Sequence, residues 1–222
     1  MTALHLADEG EAADLAAFLS RLLHYDRSAA VRLQAAGTAL AVFGRPPSFE
    51  VLAIRAVRLA KPYENGLDAT LDVTVSAGEL LESVDESAAT AVVPAAVTGP
   101  PWAGVLPPRG GWRPVPGLPA PDALRAMVGA GVAEFRSRTG ELAPEARTRA
   151  ELDRIGREIW SRTVGDTRLP VRAVHAAQSL GFLRAGGELA LLSSGAWLRL
   201  RTPYGSIAVR SAGLGALDVS VR

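Results

Sequence analysis

His24-Tyr25-Asp26 places an imidazole and a carboxylate two positions apart. Two such ligands do not complete a zinc or iron site, which needs at least one more donor. The other histidines, His5 and His175, are distant in sequence, so His24 reads as a helix-end or surface histidine. Asp68 and Asp72 stand four apart on one face of an alternating strand, and paired carboxylates can share acid/base work. On a polar strand face this spacing reads as solvated. Ser193-Ser194-Gly195 lacks the Gly-x-Ser-x-Gly elbow and falls in a predicted hairpin turn. Gly129-Ala130-Gly131 has no preceding strand and no third glycine, so it reads as a place where helices approach closely and not as a dinucleotide fingerprint. Lys61, the only lysine, is outside any phosphate loop. These residues lean away from an enzyme and point to no metal and no cofactor.

A different chemistry is written between Leu169 and Arg210. In a predicted helix at 170–182, Val171, Val174 and Leu180 form the inward stripe, leaving Arg172, His175, Gln178 and Ser179 on the other side. Such side chains can reach base edges or phosphates. In the strand that follows, Leu198 and Leu200 face one way while Trp197, Arg199 and Arg201 face the other. An aromatic ring flanked by guanidinium groups can stack on a base and hold its phosphates. With Arg184 between the two elements, the candidate nucleic-acid surface is Arg172, His175, Gln178, Arg184, Trp197, Arg199 and Arg201.

Composition sets the bounds. The chain has 222 residues, 48% of them hydrophobic and 21% charged, with no cysteine. It therefore has ample material for a core, and neither disulfides nor thiolate metal sites. The net charge of +1 hides an asymmetry: residues 1–119 carry 9 Lys+Arg against 13 Asp+Glu, and residues 120–222 carry 15 against 10. All 23 basic residues other than Lys61 are arginines, a bias to be expected of a GC-rich genome. The +5 of the second half is thus modest for a nucleic-acid domain. No secretory leader or membrane span is expected, and a cytoplasmic location follows as the default.

The elements that must position these residues can be read from periodicity. Residues 9–24 form an amphipathic helix with Leu15, Phe18, Leu19, Leu22 and Leu23 inward. VRLQAAG and ALAVFGR flank Gly37-Thr38, a two-residue hairpin turn. EVLAIRAVRLA (50–60) is apolar on both faces except at Arg55 and Arg58, as in a central strand. LDATLDVTV (67–75) alternates strictly and passes into a helix through Ser76, a capping residue with Glu79 three positions on.

Nine of the fifteen prolines, with Trp102 and Trp112, crowd residues 94–121. Proline excludes regular helix and central strand there, and tryptophans bury too much area for a loose tether. An ordered strap packed across both halves is expected. Helices follow at 122–138 (with Asp122 as cap), 145–162 and 170–182. Four strands close the chain at 188–192, 196–201, 206–210 and 217–222. The fold class is α+β: an N-terminal antiparallel sheet with flanking helices (1–93), the proline-rich strap (94–121), and C-terminal helices followed by a β-meander (122–222).

LPVRAVHAAQSLGFL, running into ELALLSSGAWLRLR and YGSIAVR, resembles the second half of a winged-helix module. That resemblance implies a helix presented to DNA, here carrying Arg172 and His175. SRTVGDTRLP before the helix and LDVSVR after the strands are additions to that pattern. Helix, hairpin, long strand, alternating strand and capped helix in the N-terminal half are similar to the element order of one DNA sliding-clamp repeat. Three functions remain open: a non-enzymatic binding or regulatory protein contacting nucleic acid through its C-terminal half; a protein-interaction or self-associating module using the acidic N-terminal half or the Trp102/Trp112 strap; and a small-ligand-binding protein or enzyme whose site gathers residues far apart in sequence.

Overall fold

The computed structural model describes residues 2–60 and 71–210. The strand expected at 217–222, Lys61, Asp68 and the first residues of the alternating strand lie outside them. Among the described residues there are five α-helices and ten strands, all paired antiparallel, an α+β fold.

Eight strands make one sheet: β2 (Ala30–Ala36), β3 (Ala39–Gly44), β4 (Leu52–Arg58), β5 (Asp72–Ser76), β7 (Arg113–Val115), β8 (Ala190–Ser194), β9 (Trp197–Thr202) and β10 (Gly205–Arg210). Their order is β5-β2-β3-β4-β10-β9-β8-β7. The short strands β1 (Ala3–His5) and β6 (Thr90–Val92) pair separately. The centre of the sheet is the β4–β10 pairing, Ser206 opposite Ile54 and Ala208 opposite Leu52, which joins strands from the two halves of the chain.

Local chemistry accounts for most of these elements. Gly37 takes a positive φ of 59° at the tight β2–β3 turn, a conformation that costs glycine little. Ser76 ends β5 and caps α2 (Ala77–Glu82), its Oγ accepting the Glu79 N–H at 3.3 Å. α1 (Glu9–Tyr25) is capped in the same way by Asp8 and buries Leu15, Phe18, Leu19 and Leu22. In the second half, α3 (Pro121–Gly140) starts one residue earlier than expected. Pro121 occupies the first turn, where its missing N–H costs nothing. Asp122 therefore sits inside the helix, paired with Arg125, and does not cap it. α4 (Arg149–Trp160) is capped by Thr148, and α5 (Val171–Ser179) follows. Gly131 lets α3 and α4 approach: a Cβ there would lie 2.8 Å from the Trp160 ring.

The helices pack on one face of the sheet, α1 against β4, α2 against β5 and α5 against β10. One cluster of buried side chains runs continuously beneath them through both halves. The proline-rich segment covers the opposite face. It begins at the β5 edge, where Val97 N–H donates to Thr74 O at 2.9 Å. A 3-10 turn at Pro101–Gly104 then sets Trp102 and Leu106 on Phe43, Leu52, Ile54 and Ala208. Beyond it, Trp112 Nε1 donates to Pro108 O at 3.0 Å, and β7 pairs with β8. β7 carries Pro114, and as the outermost strand it satisfies the rule that proline is confined to sheet edges.

Candidate functional site

The seven residues singled out from the sequence do not share one surface. Four of them belong to the helix side. His175, on α5, is half-buried between two rings, 5.0 Å from the Phe49 centroid and 4.4 Å from that of Trp160. Phe49 meets Tyr25, and Tyr25 meets His24, so a string of rings runs from the end of α1 to α4. Burial holds the His175 imidazole below its ordinary pKa, because desolvation penalises the cation. Arg172 is half-buried, its Nε 4.0 Å from a Glu50 carboxylate oxygen. Gln178 is exposed. Arg184 donates to Asp14 at 2.7 Å and lies 4.2 Å over the Tyr204 ring. α5 thus packs its flank into the molecule, between β10 and α3, where a winged helix would present a face to DNA.

Trp197, Arg199 and Arg201 lie together on the strap side, as the alternation of β9 requires. Arg199 is half-buried under Trp112, its guanidinium carbon 5.6 Å from the ring centroid. Burial lowers its pKa, with the neighbouring Arg201 charge adding to the effect. Arg201 is exposed and has no ion pair among the described residues. Arg210, opposite Trp197 in the β9–β10 ladder, and Arg45, just after β3, are likewise exposed without an acidic partner among those residues. Neither Arg45 nor Arg210 was singled out from the sequence. They meet only because β4 pairs with β10, a contact between residues about 150 positions apart that no local pattern encodes.

Between these arginines lies a cleft of about 380 Å³. Leu52 and Ala208 line it along the central β4–β10 pair, with Trp102 and Trp197 beside them, Arg45 and Arg210 as its cations, and Glu50 as its acid. A second cleft of about 630 Å³ adjoins it. This one also includes Arg45 and Trp102, with Asp26, Ser28, Ser76 and Thr98 as its other polar residues beside Ala29, Ala30, Pro47, Val97 and Pro100. Asp26 accepts from the Ser28 hydroxyl at 2.7 Å.

Elsewhere many charges are paired, although Arg136, Arg157 and Arg168 are exposed and without an ion pair among the described residues. Arg55 is buried and donates to Glu11 at 2.9 Å, Asp14 at 3.3 Å and Tyr204 O at 2.9 Å. On α3 and just beyond α4, Arg138 and Arg162 pair with Glu134 and Glu158. Arg32 donates two bonds to Asp72 and one to Ala103 O, which fastens the strap to β2. That hydrogen bonding holds the Asp72 carboxyl below its usual range, so Asp72 is engaged as a structural anion. No group of three or more His, Cys, Asp or Glu side chains among the described residues could hold a metal ion. No helix among them is long and apolar enough to cross a membrane.

The α+β fold with a strap-covered sheet thus carries two halves, and each half has a family match. Residues 1–104 match the model of a domain of unknown function, DUF8010, and residues 107–214 match that of a second, DUF8185. The junction of the two matches falls inside the proline-rich strap. No curated protein and no solved structure matches the chain.

Proposed function

We propose that this chain is a non-enzymatic binding protein, regulatory in character, that holds single-stranded nucleic acid on the strap side of its sheet. One observation carries the reading: Arg45, Arg201 and Arg210 are exposed, lack a carboxylate partner among the described residues, and share their face with Trp102, Trp112 and Trp197. Unpaired guanidinium groups gain by neutralising phosphates and releasing counterions. Half-buried tryptophans present ring surface on which unpaired bases stack, whatever their sequence. The same geometry disfavours reading of duplex grooves, since His175 and Arg172 are turned into packing. A labelled single strand and a labelled duplex, titrated by fluorescence anisotropy at low salt, test this. Tighter binding of the single strand, weakened by Arg201→Ala, is expected; failure of both probes to bind would end the reading.

A second reading, a protein partner or self-association through the Trp102/Trp112 strap, is favoured by Val92, Val97 and Val105. All three are exposed apolar side chains, and Val105 is 49% exposed. Light scattering across concentration tests it, a constant monomer mass counting against self-association.

A further inference from the structure

We propose that the two adjoining clefts on the strap side form one binding site for a nucleoside monophosphate unit, free or within a strand. The inference rests on the strap-side reading for its ligand class, and on three further observations for its geometry. The first cleft is apolar at its centre and includes two tryptophans; its volume of about 380 Å³ falls in the range of small-molecule sites, roughly 300–1,000 Å³. A planar ring there would meet the half-buried Trp102 and Trp197, above a floor in which Leu52 and Ala208 are themselves buried. The second cleft offers hydroxyl groups, Ser28 and Thr98 among them, suited to the hydroxyls of a sugar. Arg45 belongs to both clefts, is exposed, and has no acidic partner among the described residues. A ligand that combines a ring, hydroxyls and an anion matches this set of groups, with Arg45 placed where the two clefts meet. A purely apolar ligand would leave Arg45 and the hydroxyls unanswered, and inorganic phosphate would leave the tryptophans so.

Calorimetric titration of the full chain with adenosine 5′-monophosphate, adenosine and inorganic phosphate tests the proposal. The monophosphate is expected to bind, and adenosine to bind about tenfold more weakly, as loss of a charge-assisted contact implies. Arg45→Ala should weaken the monophosphate by a similar factor and leave adenosine unchanged. Arg45 is exposed and makes no ion pair among the described residues, so this variant is expected to fold, and its melting curve checks that. Displacement of a labelled single strand by the monophosphate would identify the strand as one source of the ligand. Monophosphate binding without strand binding would support the site with free nucleotide as its ligand and sink the strand reading. Strand binding that neither the monophosphate nor Arg45→Ala disturbs would overturn the site and leave the strand reading standing. No heat with the monophosphate, and no strand binding, would overturn both.

Discussion

His175 has hydrogen-bonding and proton-carrying capacity, yet its place between Phe49 and Trp160 makes it a packing residue. Its folded pKa is depressed by burial. The neutral imidazole is therefore favoured in the folded chain, and the unfolded chain takes up the proton first as pH falls. The contribution is fully present above the ordinary histidine pKa, about 6.5, and is lost as pH falls from there through the folded value. Between pH 7 and pH 5.5 the wild-type stability in urea should fall more steeply than that of His175→Phe. Equal slopes would show that His175 keeps its ordinary titration. Residue types alone suggested an outward-facing base-reading histidine here; the ring string that claims it links α1, a 3-10 turn, α5 and α4. Trp197, Arg199 and Arg201 were legible, because a strand's period of two sorts faces without knowledge of the neighbours. Arg45 and Arg210 were not, because their meeting depends on long-range pairing.

Elements with a local cause were the readable ones. The passage from β5 into α2 turns on Ser76, whose hydroxyl satisfies a helix N–H that otherwise has no partner. Ser76→Ala is expected to cost about 1 kcal/mol of stability, measured by urea denaturation, with Ser76→Asp restoring most of it. A negligible loss would mean that the packing of Leu80 alone fixes the helix start. β7 was illegible for the opposite reason. A strand within a run of prolines contradicts local propensity and exists because it sits at the sheet edge, bonded on one side to β8. The same edge logic explains the strap, which was expected as ordered from its tryptophans and lies across the face they bury. The outward placement expected for the third C-terminal helix failed to appear because β10 pairs with β4, placing α5 against the common core.

Across the whole molecule, three features tie the halves: the β4–β10 ladder, the continuous core, and Arg55 reaching from β4 to both α1 and the β9–β10 turn. Replacing either Glu11 or Asp14 would leave the buried Arg55 guanidinium with only the other carboxylate as its counter-charge. The two family matches nevertheless divide the chain at the strap. Cooperative coupling through the shared sheet predicts a single calorimetric unfolding transition with equal calorimetric and van't Hoff enthalpies. Two separated transitions would mean that the halves are energetically independent in spite of the pairing. Charge is distributed on the same scale. Among the described residues, several helix-side cations pair with acids while Arg136, Arg157 and Arg168 do not, and on the strap side Arg45, Arg201 and Arg210 stand without an acidic partner beside three tryptophans.

The salt dependence of single-strand binding tests that distribution most directly. If Arg45, Arg201 and Arg210 each neutralise one phosphate, the logarithm of affinity should fall against the logarithm of salt with a slope of about −2. Replacing all three by alanine should flatten that slope towards zero and weaken binding at low salt, while the melting temperature stays near that of the wild type. A wild-type chain that leaves the strand unbound at low salt, or a triple variant with an unchanged slope, would contradict a nucleic-acid role for the strap side of the sheet.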